Sequence, residues 1–166
     1  MTRPASAKPL LDTETVDFVT RRVSMAIAGR NADNVPSSAR GCGCRITPDG
    51  RQMTVFVSRP QAAALLRDIG ANGAIAAVFS QPTTHRTMQF KGNDARVVPL
   101  APGDAQLVAA FVGSFVVELA PLGHAAPFVH AVLGARPEDL AAIVFTPSDG
   151  FAQTPGPGAG APLPGR

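Results

Sequence analysis

The sequence predicts one domain, mainly β with peripheral helices, built as an antiparallel split β-barrel, and two observations carry that prediction. Apolar, strand-like segments are joined mostly by short turns, the clearest being Pro48-Asp49-Gly50, and not by the regular strand–helix alternation of a parallel sheet. With 166 residues, 45% of them hydrophobic and 16% charged, the chain is long enough for a buried core and too apolar to stay unfolded. The segments add up to about six or seven strands and three or four helices.

Taken in order, residues 1–9 read as a disordered lead, 10–154 as the domain, and 155–166, dominated by Gly, Pro and Ala, as a tail unable to pack by itself. Asp12 or Thr13 caps a first helix with Val16, Phe18 and Val19 on its apolar side, ending near Arg22. Residues 23–29 (VSMAIAG) form a strand and 30–34 a turn of the Asn/Asp type. Residues 35–47 form a second strand made irregular by Gly41 and Gly43, where a bulge or a close ligand approach is expected. After Pro48-Asp49-Gly50, residues 53–57 return as the partner in a hairpin. Ser58 is placed to cap a second helix with Pro60 just inside it, Leu65, Leu66 and Ile69 on its buried face, and Asn72-Gly73 at its end. Residues 74–80 (AIAAVFS) read as a central strand, and two strand halves, 86–90 and 95–98, flank Lys91-Gly92-Asn93-Asp94. Leu107, Phe111, Phe115 and Leu119 mark a helix over about 104–119; a shorter one covers 126–133. Residues 140–146 and 150–154 complete the strands.

Composition narrows the function. No apolar run approaches the roughly 20 residues that span a bilayer, and the first residues lack an apolar signal core, so a cytoplasmic protein with no membrane partner is expected. The net charge is +3, carried by 13 Arg and 2 Lys. Arginine suits bidentate phosphate contacts, while the scattered charge and the absence of Tyr and Trp disfavour nucleic acid. A phosphorylated small molecule is the expected partner. Cys42 and Cys44, two apart in a strand, read as small buried side chains on one face. His85, His124 and His130 show no metal-binding spacing, so no metal site is assigned. Carboxylates are sparse, and no Gly-x-Ser-x-Gly elbow supports a hydrolase. Catalytic residues stay unassigned.

From Val23 to Gly92 the order of features resembles the pyridoxamine 5'-phosphate oxidase family. The features are a short strand, a turn, Arg40 opening the second strand, a hairpin, Ser58-Arg59 at a helix start, Asn72 near its end, an apolar strand, and the block HRTMQFKG over 85–92. The resemblance implies an FMN-binding split barrel that forms a homodimer with the cofactor in the cleft between subunits. It implies phosphate contacts from Arg40 and Arg45 (RGCGCR), which stand five residues apart as the family's Arg and Lys do, with Gly41 and Cys42 between them. It also places Val55, Phe56, Ser58 and Arg59 at the cofactor, with Pro60 where the family has a further cation, and Arg86 and Thr87 near the ring, Thr87 in place of a Gln.

A physical argument runs beside this one: a helix tip at Ser58, with free amides around Gln61 and Ala62, would hold phosphate, and Gly41 and Gly43 would let the backbone approach a flat ring. Arg86 or Lys91 near the pyrimidine end would stabilise an anionic reduced flavin. The chain lacks the family's C-terminal Arg- and Trp-bearing segment, so vitamin B6 oxidation is not expected. The expected function is a flavin-dependent oxidoreductase acting on an unknown small molecule. The alternative is a non-catalytic flavin- or haem-binding barrel with His124 or His130 on iron. Residues 153–160 (QTPGPGAG) either drape over the flavin edge or partner subunit or form a flexible end. Phe111, Phe115 and Phe128, too many for one small core, also point to a dimer.

Overall fold

Because most connections between strands are short, neighbouring strands must run antiparallel. In the computed structural model, which describes residues 10–164, all the paired strands do; the expected lead over 1–9 lies outside the described residues. The elements are α1 (Thr13–Val19), β1 (Ser24–Arg30), β2 (Pro36–Ile46), β3 (Met53–Ser58), α2 (Ala63–Asn72), β4 (Ile75–Ser80), β5 (Thr87–Gly92) and β6 (Arg96–Val98). They continue with α3 (Asp104–Leu119), α4 (Ala126–Leu133), β7 (Leu140–Phe145) and β8 (Asp149–Ala152). The eight strands form one sheet in the order β6-β7-β3-β2-β1-β4-β5-β8.

The barrel closes through two broken strands. Lys91 pairs with Asp149, and five residues further on, Arg96 pairs with Val144, five residues back. The β5–β6 segment and the β7–β8 segment therefore share one register across both breaks. Amide bonds carry the ladder over the gap, from Ser148 to the Lys91 carbonyl (2.8 Å) and from Thr146 to the Asp94 carboxylate (2.8 Å). Gly92 sits at this bend because a Cβ there would stand 2.8 Å from the Phe145 ring and 3.0 Å from the Thr146 carbonyl.

Strand alternation sorts the apolar residues into two cores. The barrel interior holds Met25, Ile27, Cys44, Val55, Val57, Ala77, Phe79, Phe90, Ile143 and Phe145. At one end it packs on Phe18 and Val19 of α1, and at the other on Leu65 and Ile69 of α2. A second core lies outside the β2–β3–β7 part of the sheet, where Cys42, Phe56 and Ala142 meet Val108, Val112, Phe115 and Leu119 of α3 and Val129 and Leu133 of α4.

Several expectations change. The second helix starts at Ala63 with Ala62 before it and no side-chain cap; Ser58 ends β3 instead. Cys42 and Cys44 fall in different cores, because the register of β2 against β3 shifts between Gly41 and Gly43 and breaks the alternation. Burial pushes the Cys42 thiol up to about 11, against a smaller opposing backbone hydrogen bond, and burial also raises Cys44. Both are thiols, not thiolates, at neutral pH. The described part of the Gly/Pro-rich tail folds back antiparallel along the free edge of β8, with Ala152 donating to the Ala161 carbonyl (2.8 Å) and Leu163 to that of Gly150 (2.8 Å). Pairing this edge removes an open template for another chain.

The stretch Asp104–Leu122, with mean hydropathy 1.7, is long and apolar enough by length and composition to cross a membrane, contrary to the expectation of no such run. Its buried side packs on the sheet, and its two carboxylates are bonded within the protein. One face of it, about a third of the stretch, is buried.

One of those carboxylates ties the β4–β5 loop to α3. Glu118, only 4% exposed, accepts from the Thr83 amide (3.0 Å), the Thr83 hydroxyl and the Gln81 side chain (3.3 Å). Burial pushes this carboxyl up, but those hydrogen bonds and the nearby Arg22 charge outweigh it and hold it below the usual range. A depressed carboxyl stabilises the fold above its unfolded pKa and loses that contribution as pH falls through the folded value. Glu118→Gln is expected to cost about 1–3 kcal/mol at pH 7, with the gap to wild type closing below about pH 4, measured by urea unfolding across pH. In the same assay Gly43→Val, whose Cβ would meet Val108 at 3.0 Å and Phe56 at 3.2 Å, is expected to lose about 1–3 kcal/mol by overpacking.

Candidate functional site

An odd spacing along a regular strand sends two side chains to opposite faces. Arg40 and Arg45 escape this rule because β2 carries one extra residue. Gly41 pairs with Val57 and Gly43 with Phe56, so two steps along β2 match one along β3. Ala39 and Cys44 face the barrel interior, and both arginines consequently lie on the outer surface.

The two then diverge. Arg45 runs under the start of α3, where its Nη2 stands 3.5 Å from the buried Asp104 carboxylate, and its Nε is buried with no acceptor among the described residues. Arg40 is exposed and has no hydrogen bond or ion pair among the described residues. The Gly41–Val57 pair places it beside Ser58 at the end of β3. The adjoining Arg59 is pinned by its amide to the Asp139 carbonyl (2.7 Å) and by its Nε to the Leu140 carbonyl (3.2 Å). Arg40, Ser58 and Arg59 thus adjoin one another at one corner of the sheet, with Arg40 on the β2 side of β3 and the Arg59 guanidinium drawn to the β7 side.

From that corner a strip of sheet stays uncovered by helices. One row runs Arg40–Ala26–Val78–Gln89–Phe151, and the next runs Ser38–Ala28–Ala76–Lys91–Asp149. Its floor is small and apolar at Ala26, Ala28 and Ala76, and its polar residues include Ser38, Gln89, Lys91 and Asp149. Gln153 donates to the Gln89 side chain (3.3 Å), and the Lys91 ammonium stands 5.1 Å from the Phe151 ring centroid. At one end the strip opens into a groove of about 460 Å3 lined by Arg30, Asn34, Lys91 and Asn93 over Ala28 and Ala76.

The other sequence-derived positions divide. Arg86 turns toward α1, donating to Glu14 (2.8 Å) with its guanidinium 4.6 Å from the Phe18 ring centroid. Thr87, one residue on, shares the outer face of β5 with Gln89 and Lys91, in the next row of the strip, and pairs its hydroxyl with Ser80 (2.8 Å). Gly41 and Cys42 are buried; Val55 fills the barrel interior, and Phe56 lies under α3. The space a Cβ would need at Gly41 and Gly43 is taken by Met25 and Val108, so the close approach expected there is made by the protein itself. The amides of Gln61 and Ala62 are spent on the Ser58 carbonyl (3.1 and 2.9 Å), so the free amides expected at these two residues are not available to a phosphate.

His85 is exposed at φ +59°, and His124 stacks on Phe128 with ring centroids 5.0 Å apart. His130 lines a cavity of about 260 Å3 beside α3. Among the described residues no group of three or more His, Cys, Asp and Glu is placed to hold a metal ion. Sequence reasoning missed Asp104 and Glu118. Their signal was a lone carboxylate at each end of an otherwise apolar helix, which burial makes costly unless it is paired.

No family model matches the sequence, and no curated protein does. Solved structures do match its fold. HupZ of Group A Streptococcus is 15% identical at a TM-score of 0.53, over 90% of this chain and 98% of that one. A candidate pyridoxamine 5'-phosphate oxidase of Lactobacillus delbrueckii is 12% identical at a TM-score of 0.52, over 86% and 93%. An F420 reductase is 16% identical at a TM-score of 0.50, over 81% and 93%. At such identities the likeness is one of architecture, and the architecture agrees with the closed antiparallel ladder and the helices found here: the chain has the split-barrel fold of the pyridoxamine 5'-phosphate oxidase-like, FMN-binding proteins.

Proposed function

We propose that this protein binds FMN on the uncovered strip of its barrel and acts as a flavin-dependent oxidoreductase on a small molecule, as a homodimer whose second subunit covers the strip. The observation that carries the reading is the corner formed by Arg40, Ser58 and Arg59 at the edge of a small-residue floor. A phosphate monoester needs several converging donors. Arg40 has its guanidinium uncommitted among the described residues, and Arg59 spends only its Nε. Ala26, Ala28, Ala76 and Val78 offer a flat apolar surface suited to a ring system.

The donor set therefore fits a flavin phosphate. Arg40 and Arg59 would hold the phosphate, with Ser58 beside them. Gln89 and Lys91 are side chains on the floor able to donate to ring heteroatoms. Bound flavin supplies the electron and hydride chemistry; the protein contributes binding, orientation and exclusion of water. Two of the fold relatives, the F420 reductase and the candidate oxidase, are named for redox reactions.

Exposure of Ala26 in the middle of the strip, flanked by half-buried Ala28 and Val78, supports the dimer. The phenylalanines do not: Phe111 and Phe115 are buried in the chain's own cores, and only Phe128 is exposed.

With no Trp or Tyr, the protein absorbs little in the near ultraviolet, so a bound flavin or haem would dominate both the near-ultraviolet and the visible spectrum of the purified protein. A bound yellow, fluorescent flavin is expected, with Arg40→Ala and Arg59→Ala each weakening FMN by about tenfold or more. Colourless protein indifferent to added FMN would sink the reading, and a Soret band would replace flavin by haem. Reduction by NADH or NADPH with turnover on an acceptor separates an enzyme from a binder. Ala26→Glu is expected to give a monomer in sedimentation equilibrium, since a dimer would have to bury an unpaired carboxylate, and to weaken FMN in parallel.

A further inference from the structure

Across the bulge from Arg40, an open cleft of about 460 Å3 lies between α1, the end of β2 and α3. Val16, Ile46, Leu107 and Phe111 supply apolar wall, and Arg21 and Arg45 are its charged residues, with no carboxylate among the described lining residues. The hydroxyls of Thr20 and Ser114 are already bonded to the Val16 (2.7 Å) and Phe111 (2.8 Å) carbonyls.

The arginines are under-used. Among the described residues Arg21 meets Asp17, at 3.5 Å, and Arg45 meets Asp104, also at 3.5 Å, although a guanidinium carries five N–H donors. Arg45 keeps 40% of its side chain exposed while its buried Nε lacks an acceptor. Each cation is partly offset by its aspartate, so the residual charge suits a monoanion better than a dianion. The volume falls in the 300–1,000 Å3 range of small-ligand sites.

We infer that this cleft binds a single-chain amphiphile, an aliphatic carboxylic acid of medium length, with its chain along Val16, Leu107 and Phe111 and its carboxylate drawn by the arginines that flank the cleft, Arg45 at the Asp104 end of α3 and Arg21 toward the Ser114 end. The site lies across the bulge from the uncovered strip and does not depend on the flavin assignment. Specificity follows from the two parts: the arginines recognise the charge, and the walls recognise apolar length.

Calorimetric titration of the full-length protein with decanoate, kept below micelle-forming concentration, tests this. Saturable binding at one site per chain is expected, with octanoate weaker by about fourfold for each methylene removed, and decanol at least about tenfold weaker for want of the charge. Ala110 lines the cleft from an exposed position on α3, so Ala110→Phe is expected to fill it, lowering decanoate affinity about tenfold or more with an unchanged circular dichroism spectrum and unchanged FMN binding. Arg21→Gln should reduce decanoate binding and leave decanol unaffected, whereas Arg40→Ala should leave decanoate binding intact. Equal affinity for decanoate and decanol, wild-type binding by Ala110→Phe, or no decanoate binding at millimolar concentration would each overturn the proposal.

Discussion

A single extra residue in one strand organises this molecule. Opposite Phe56 and Val57, β2 spends two steps where β3 spends one, and the phase of every side chain after Cys42 shifts by one face. Cys44 turns into the barrel while Cys42 stays under α3, and Arg45 joins Arg40 outside instead of entering the core. A regular strand would have buried one of these arginines without a partner, which no small barrel tolerates.

The same bulge seats the longest helix. Gly43 carries no side chain, so Val108 comes within contact distance of the strand, and α3 lies flat over β2 and β3. Once there, α3 acts as a clamp. Asp104 at its start meets Arg45, Ser114 accepts from the Arg22 amide (3.0 Å), and Glu118 near its end holds the β4–β5 loop. These contacts are far apart in sequence and give the helix a role its apolar composition conceals. By covering one part of the sheet it also defines the part left bare, and the corner of Arg40, Ser58 and Arg59 stands at the boundary between the two.

Closure of the barrel is a separate constraint. Keeping one register through both breaks lets β5–β6 and β7–β8 complete the ring without an insertion, and Gly92 makes room for Phe145 at the bend. The chain beyond β8 then returns along that strand's edge, so a segment rich in Gly and Pro becomes ordered by backbone pairing and by Leu163 packing on the core.

Much of this was legible in the residues alone. Apolar alternation and turn chemistry located the strands and the two later helices within a residue or two, because those signals are local and depend on backbone preferences and period. The irregularity at Gly41 and Gly43 was legible as a bulge. What the bulge did to the faces was not, since face depends on the partner strand's register. For the same reason the sequence could not show that Arg86 turns to Glu14, that Arg45 goes to Asp104, or that the amides after Ser58 close on their own turn. Each of those outcomes is set by which distant group arrives first at a donor, and only the packed chain brings such groups within reach.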